Sequence, residues 1–156
     1  MIREIIKEYN LNKKLNPDTI EELYKPANQI SLIDFLNTEP NREFALYILN
    51  DAIVKRENTD VSFDLEDLIF ASFLLAIHKN PEDSLLIWEA KEVDFDTHCG
   101  HDIQLVVGGG VNETISFLKE LDNKNAKDAL EYIKDCDKTG DFNDIENYFK
   151  GRPCLL

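Results

Sequence analysis

Leu68-Ile69-Phe70-Ala71-Ser72-Phe73-Leu74-Leu75-Ala76-Ile77 is the longest nearly unbroken apolar stretch of the chain, interrupted only by Ser72. It falls far short of the roughly 18 to 20 residues needed to cross a bilayer. It is also apolar on nearly every side, whereas a surface helix shows a single apolar stripe. The stretch therefore predicts a central helix surrounded by others, and the axis of the core is expected to run along it.

Downstream, Asn80-Pro81-Glu82-Asp83 supplies a cap, a first-turn proline and acids suited to the positive end of a helix dipole. A helix through Leu85, Leu86, Trp88 and Ala90 is expected there, after a very tight turn. Upstream, Phe44, Ala45, Ile48, Leu49, Ala52 and Ile53 repeat at helical spacing from Asn41 to Arg56. Nearer the N-terminus, Ile2, Ile5, Ile6 and Tyr9 predict one helix. Asn16-Pro17 opens a second with Ile20, Leu23 and Tyr24 inward, and Ser31 with Asp34 is read as the cap of a third. These pieces form a packed cover.

Residues 97 to 107 read two ways: Ile103, Leu105 and Val107 alternate like a strand, while Asp96 or Thr97 can cap a helix. Helix is expected, because no second strand candidate exists to pair with it. Gly108-Gly109-Gly110 breaks the segment as a flexible or closely packed turn. A helix from Asn112 then buries Ile115, Phe117, Leu118 and Leu121. Ala126, Ala129, Leu130, Ile133 and Cys136 share a face of the next, Gly140 stops it, and Asp141 begins a last one with Phe142, Ile145, Tyr148 and Phe149 inward. Gly151 and Pro153 close the fold. The fold class expected is all-α, a single domain of stacked antiparallel helix pairs with about eight helices, solenoid-like in outline though without a strict repeat.

With 156 residues, 43 % of them hydrophobic, the chain has material for one core and not for two. Met1 to Glu8 mixes acids and bases without the apolar centre of a secretory signal, so a cytoplasmic location is expected. Cys99, Cys136 and Cys154 are odd in number and widely spaced, which reads as free thiols. Cys154 stands third from the end and so does not form a prenylation signal.

The net charge is −14, from 17 basic and 31 acidic residues. That argues against a nucleic-acid or anionic-lipid partner and for a cationic one. Residues 59 to 110 hold 11 acids against 2 bases, and so carry −9 of the −14. A surface patch and an ordinary solvated face both account for this concentration.

Two segments hold ligand-type side chains. Asp135-Cys136-Asp137-Lys138-Thr139-Gly140-Asp141-Phe142-Asn143-Asp144-Ile145-Glu146 resembles an EF-hand calcium loop. Asp135, Asp137, Thr139, Asp141 and Glu146 are its candidate ligands and Gly140 sits at the sharp turn. No second hand pairs with it, and the same letters serve as helix stops and caps. In Asp94-Phe95-Asp96-Thr97-His98-Cys99-Gly100-His101-Asp102, a helix would place His98, His101 and Asp102 on one face. That spacing can contribute to a zinc or other transition-metal site when further ligands arrive from elsewhere, but the favoured reading is a capped helix start whose histidines pair with nearby acids.

The glycine triplet lacks a P-loop lysine, and Glu113 would repel an anion. No nucleophile elbow is present, and His78, His98 and His101 show no recognised nucleophile-base spacing. The chain is expected not to be an enzyme and to need no cofactor.

The acidic run of Glu89, Glu92, Asp94, Asp96 and Asp102, with stacked helices on either side, resembles the immunity proteins by which bacteria neutralise secreted toxins. The resemblance implies tight binding to a basic, nuclease-type toxin whose active site is blocked by surface complementarity. Trp88, the only tryptophan, is the candidate anchor within that run, with core packing as its competing role. A calcium-binding protein and a metal-dependent enzyme centred on His98 and His101 are the alternatives.

Overall fold

The structure, a computed structural model, describes residues 1 to 151; the expectations for Pro153 and Cys154 lie outside the described residues. Ten α-helices follow in order: α1 (Ile2–Asn12), α2 (Pro17–Leu23), α3 (Pro26–Thr38), α4 (Arg42–Glu57), α5 (Leu65–Ala76), α6 (Ser84–Lys91), α7 (Phe95–Gly100), α8 (Val111–Lys119), α9 (Lys124–Lys138) and α10 (Ile145–Lys150). Short 3-10 turns span Pro81–Asp83 and Ile103–Leu105. There is no strand among the described residues, and the chain is all-α. No helix among them is long and apolar enough to cross a membrane.

α5 is the buried axis. Phe70, Ala71, Ser72, Phe73, Leu74 and Leu75 are all buried, as expected of a helix apolar on every side. α4 packs along it, and α3, α6 and the Ile103–Leu105 turn cover its remaining sides. α8 and α9 form a second hairpin, joined to the first where α9 meets α6. Contacts thus run from α5 to α3, α4, α6 and the Ile103–Leu105 turn, and onward from α6 through α9 to α8. α1 and α3 form the expected cover, with Tyr9 edge-on to Phe44 at 5.3 Å between ring centroids.

Several helix starts follow their local sequence. The side chains of Asn16, Asn41, Asn80 and Asn123 each accept a backbone N–H of the turn they open. Ser31 does not cap a helix: α3 already begins at Pro26, and the Ser31 hydroxyl donates to the Ala27 carbonyl at 3.1 Å. The expected helix through 97 to 107 is two pieces. α7 starts earlier, capped by Asp94, and His101 is extended before the short Ile103–Leu105 turn. Asp141 does not open the last helix. α9 runs on to Lys138, Gly140 turns the chain at φ +84°, and α10 starts at Ile145.

The glycine triplet is closely packed. A Cβ on Gly108 would lie 2.7 Å from the Ala76 carbonyl oxygen, and one on Gly109 would lie 2.5 Å from Pro81 N. These two positions let the α8 entrance press against the α5–α6 turn. The turn is itself tied to α4 by the buried Asp83 carboxylate, which accepts from Arg42 Nε at 2.9 Å and from Nη2 at 2.5 Å.

Gly109→Ala should therefore lower stability by about 2 kcal/mol, since backbone and not a side-chain end must move. Gly100→Ala should stay within about 1 kcal/mol of wild type, because it meets only the movable Leu65 side chain and gains helix propensity. Urea unfolding midpoints of the two variants check the ordering.

Candidate acidic interface

The end of α6 and the start of α7 carry the acidic run. Glu89, Glu92, Asp94 and Asp96 are all exposed. Asp94 accepts the Thr97 N–H at 2.8 Å as the α7 cap, and that hydrogen bond holds its carboxyl below the usual carboxylate range. Between the two aspartates stands Phe95, 78 % exposed and the first residue of α7.

Arg56, in the last turn of α4, fixes this region from the side. Its Nε donates to Thr97 Oγ1 at 3.0 Å and its Nη1 donates to the Phe63 carbonyl at 2.7 Å, with Asp94 Oδ2 3.5 Å away. The loop between α4 and α5, which carries exposed Asp60, Val61 and Asp64, is thereby held beside the acidic start of α7. Arg56 thus links the backbone at Phe63 to the start of α7.

Lys91, the base inside the acidic run, is only 2 % exposed. Its Nζ donates to the His98 carbonyl at 2.5 Å and to the His101 carbonyl at 2.5 Å, and stands 5.4 Å from the centre of the Tyr132 ring. Burial lowers its pKa, while nearby Glu92 and Asp102 oppose the shift. The cation consequently closes the C-terminal end of α7, where backbone carbonyls need donors, and leaves no ammonium among the surface acids.

Trp88 does not present its indole to a partner. It is 4 % exposed and packs on Tyr132 with ring centroids 5.5 Å apart, so it supports the face from beneath. The helical letters around it offered core and interface readings alike, and its buried side decides for the core. Asp102 stands apart from the exposed four, half-buried and accepting the Tyr148 hydroxyl at 2.7 Å. Phe95 was missed by the sequence reading because a lone aromatic at a helix start carries no periodicity to show which way it faces.

The two histidines do not share a face. α7 ends at Gly100, so the spacing of His98, His101 and Asp102 is not helical. His98 Nδ1 meets the Glu92 carboxylate near the surface, and its ring stands edge-on to Tyr132. His101, 1 % exposed, places Nε2 2.8 Å from Ser72 Oγ inside the core. Ser72 also donates to the Leu68 carbonyl at 2.9 Å, so its oxygen is left to accept from His101 Nε2. Burial, reinforced by the Lys91 charge, pushes the His101 pKa down to about 3.

The calcium-loop candidates are likewise dispersed. Asp135 and Asp137 lie within α9, two positions and so about 200° apart around the helix. The Thr139 hydroxyl donates to the Cys136 carbonyl at 3.1 Å. Gly140 makes the expected turn, but Asp141 and Glu146 follow it on a separate turn and helix. No group of three or more His, Cys, Asp or Glu side chains gathers as metal ligands among the described residues.

No family model, curated protein or solved structure matches the chain, so geometry alone carries the functional argument.

His101 ties stability to pH. The unfolded imidazole takes up its proton near the ordinary value of about 6.5, the folded one only near 3. Unfolding therefore binds a proton between those values. The stability His101 contributes is fully present above about pH 6.5 and is lost as pH falls toward 3, by up to about 1.4 kcal/mol per pH unit. In His101→Gln, urea unfolding between pH 6.5 and 5 should show a shallower pH dependence than wild type; equal slopes would refute the assignment.

Proposed function

We propose that this chain is a non-catalytic binding protein that captures a basic protein partner, in the manner of an immunity protein neutralising a nuclease-type toxin in the cytoplasm where that toxin is made. The observation supporting the reading is the exposed Phe95 set among exposed Glu92, Asp94 and Asp96, with Glu89 alongside and the only base of the run, Lys91, turned into the core.

The physical roles divide. With a Debye length of about 8 Å at physiological salt, the neighbouring carboxylates at the end of α6 and the start of α7 act on an approaching cation together. Such a field raises the rate of encounter and rejects acidic competitors. Affinity then needs a desolvated anchor, and burial of an exposed phenylalanine is worth about 1.5 to 3 kcal/mol. Phe95 protrudes from a capped helix start pinned by Asp94 and Arg56, so little backbone ordering is required on binding. A catalytic role finds less support: the Ser72–His101 contact is sealed in the core beyond reach of a substrate.

The test uses the product of the gene immediately upstream. Co-expression should relieve that product's toxicity, and the two should form a one-to-one complex; persistent toxicity with no complex removes the reading. In the complex, Glu89→Lys, Glu92→Lys and Asp96→Lys with Asp94→Asn, which keeps the cap, should slow association about tenfold or more at low salt. Phe95→Ala should mainly hasten dissociation, by about 30-fold for a loss of about 2 kcal/mol. Stopped-flow association and surface-resonance dissociation separate the two effects, and an association rate indifferent to the charge reversals would refute the steering role.

A further inference from the structure

A second feature lies away from the acidic face. A cleft of about 740 Å³ opens between α3, α5, the glycine triplet, the start of α8 and α10. That size falls within the ~300 to 1,000 Å³ of small-molecule sites. Its floor is apolar, with Ile33, Val107 and Val111 beside the stacked rings of Phe73 and Phe149, whose centroids are 5.9 Å apart.

Four charged residues line it in two opposite-sign sets: Lys79 and Glu113 at the glycine turn, and Glu146 and Lys150 on α10. None of the four makes an ion pair among the described residues. Lys79 and Glu113 flank the triplet. The backbone carbon of Asn80, next to Lys79, would lie 2.8 Å from a Cβ on Gly109, and Glu113 Oε2 would lie 1.9 Å from one on Gly110. Lys79 is also held at φ +55°, a left-handed conformation that glycine adopts more cheaply. Lys13 adopts the same conformation at φ +57° where α1 ends, so this backbone state belongs to the helix end.

All four side chains are exposed at the rim, and a fatty acid there would answer a lysine and leave Glu113 unmet, while an alkylamine would answer a glutamate and leave Lys79 unmet. A second copy of this chain would bring another −14 of charge. A molecule bearing both charges on an apolar body meets the Lys79 and Glu113 set together with the apolar floor. We propose that this cleft binds a small zwitterion with an apolar body, of the class of a short apolar peptide with free ends, its carboxylate beside Lys79 and its ammonium beside Glu113.

The experiment titrates the ¹⁵N-labelled protein with the free tripeptide Leu-Phe-Leu, with its N-acetylated C-terminal amide, and with decanoate and decylamine, following the amide resonances of Gly108, Gly109 and Gly110. The free tripeptide should shift them saturably, about tenfold more tightly than the blocked form, a difference of about 1.4 kcal/mol. Lys79→Gly should raise the melting temperature by relieving the backbone while weakening tripeptide binding about tenfold. Glu113→Gln, which retains a side-chain oxygen at the helix start, should weaken it similarly. No saturable shift, equal binding of the blocked peptide, tighter binding of either single-charge amphiphile, or unchanged affinity in Lys79→Gly would each overturn the proposal.

Discussion

The Lys91 ammonium, buried with two hydrogen bonds aimed at the carbonyls of His98 and His101, is the constraint on which the α6–α7 face is organised. A short helix such as α7 has little stability of its own, since nucleation outweighs the few hydrogen bonds it gains. Its start is held by Asp94 and Arg56 and its end by Lys91. Removing the ammonium would leave two buried carbonyls without that donor, and the cost of such orphaned groups exceeds the modest net value of the bonds themselves. The same charge adds to burial, the larger cause, in depressing the neighbouring His101 imidazole.

Where the structure is determined by adjacent residues, the sequence was a good guide. The evenly apolar stretch from Leu68 announced a central helix, and Asn16, Asn41 and Asn80 announced helix starts, because a cap bonds to the turn that immediately follows it. The departures have both local and distant causes. Ser31 turned into the body of α3 because Pro26 opens the helix five residues earlier. His101 left the helix to reach Ser72, 29 positions away. Asp141 lost its capping role because it lies in the turn after Gly140, and α10 opens only at Ile145.

The acidic face was legible as composition and not as geometry. Counting charges located it between residues 59 and 110, but the count treats Lys91 as a surface base, and only tertiary packing shows that it is inside. Trp88 is inside for the same reason: it packs on Tyr132 in α9, far along the chain, while Phe95 stands exposed at the start of α7. The cleft beside the glycine triplet was invisible because its walls come from α3, α5, α8 and α10, which no short window of sequence holds together.

The position of the lone indole gives this protein an optical gauge. Trp88 rests on Tyr132 below the acidic surface, at the junction of the two helical hairpins. Its emission is therefore governed by whether α6 and α9 remain docked, and is shielded from what happens at the solvent boundary above it. Loss of the junction would wet the ring and displace its spectrum to longer wavelength, whereas a molecule landing on Phe95 would leave the colour nearly constant. Light from a single side chain thus separates the state of the scaffold from the occupancy of its surface.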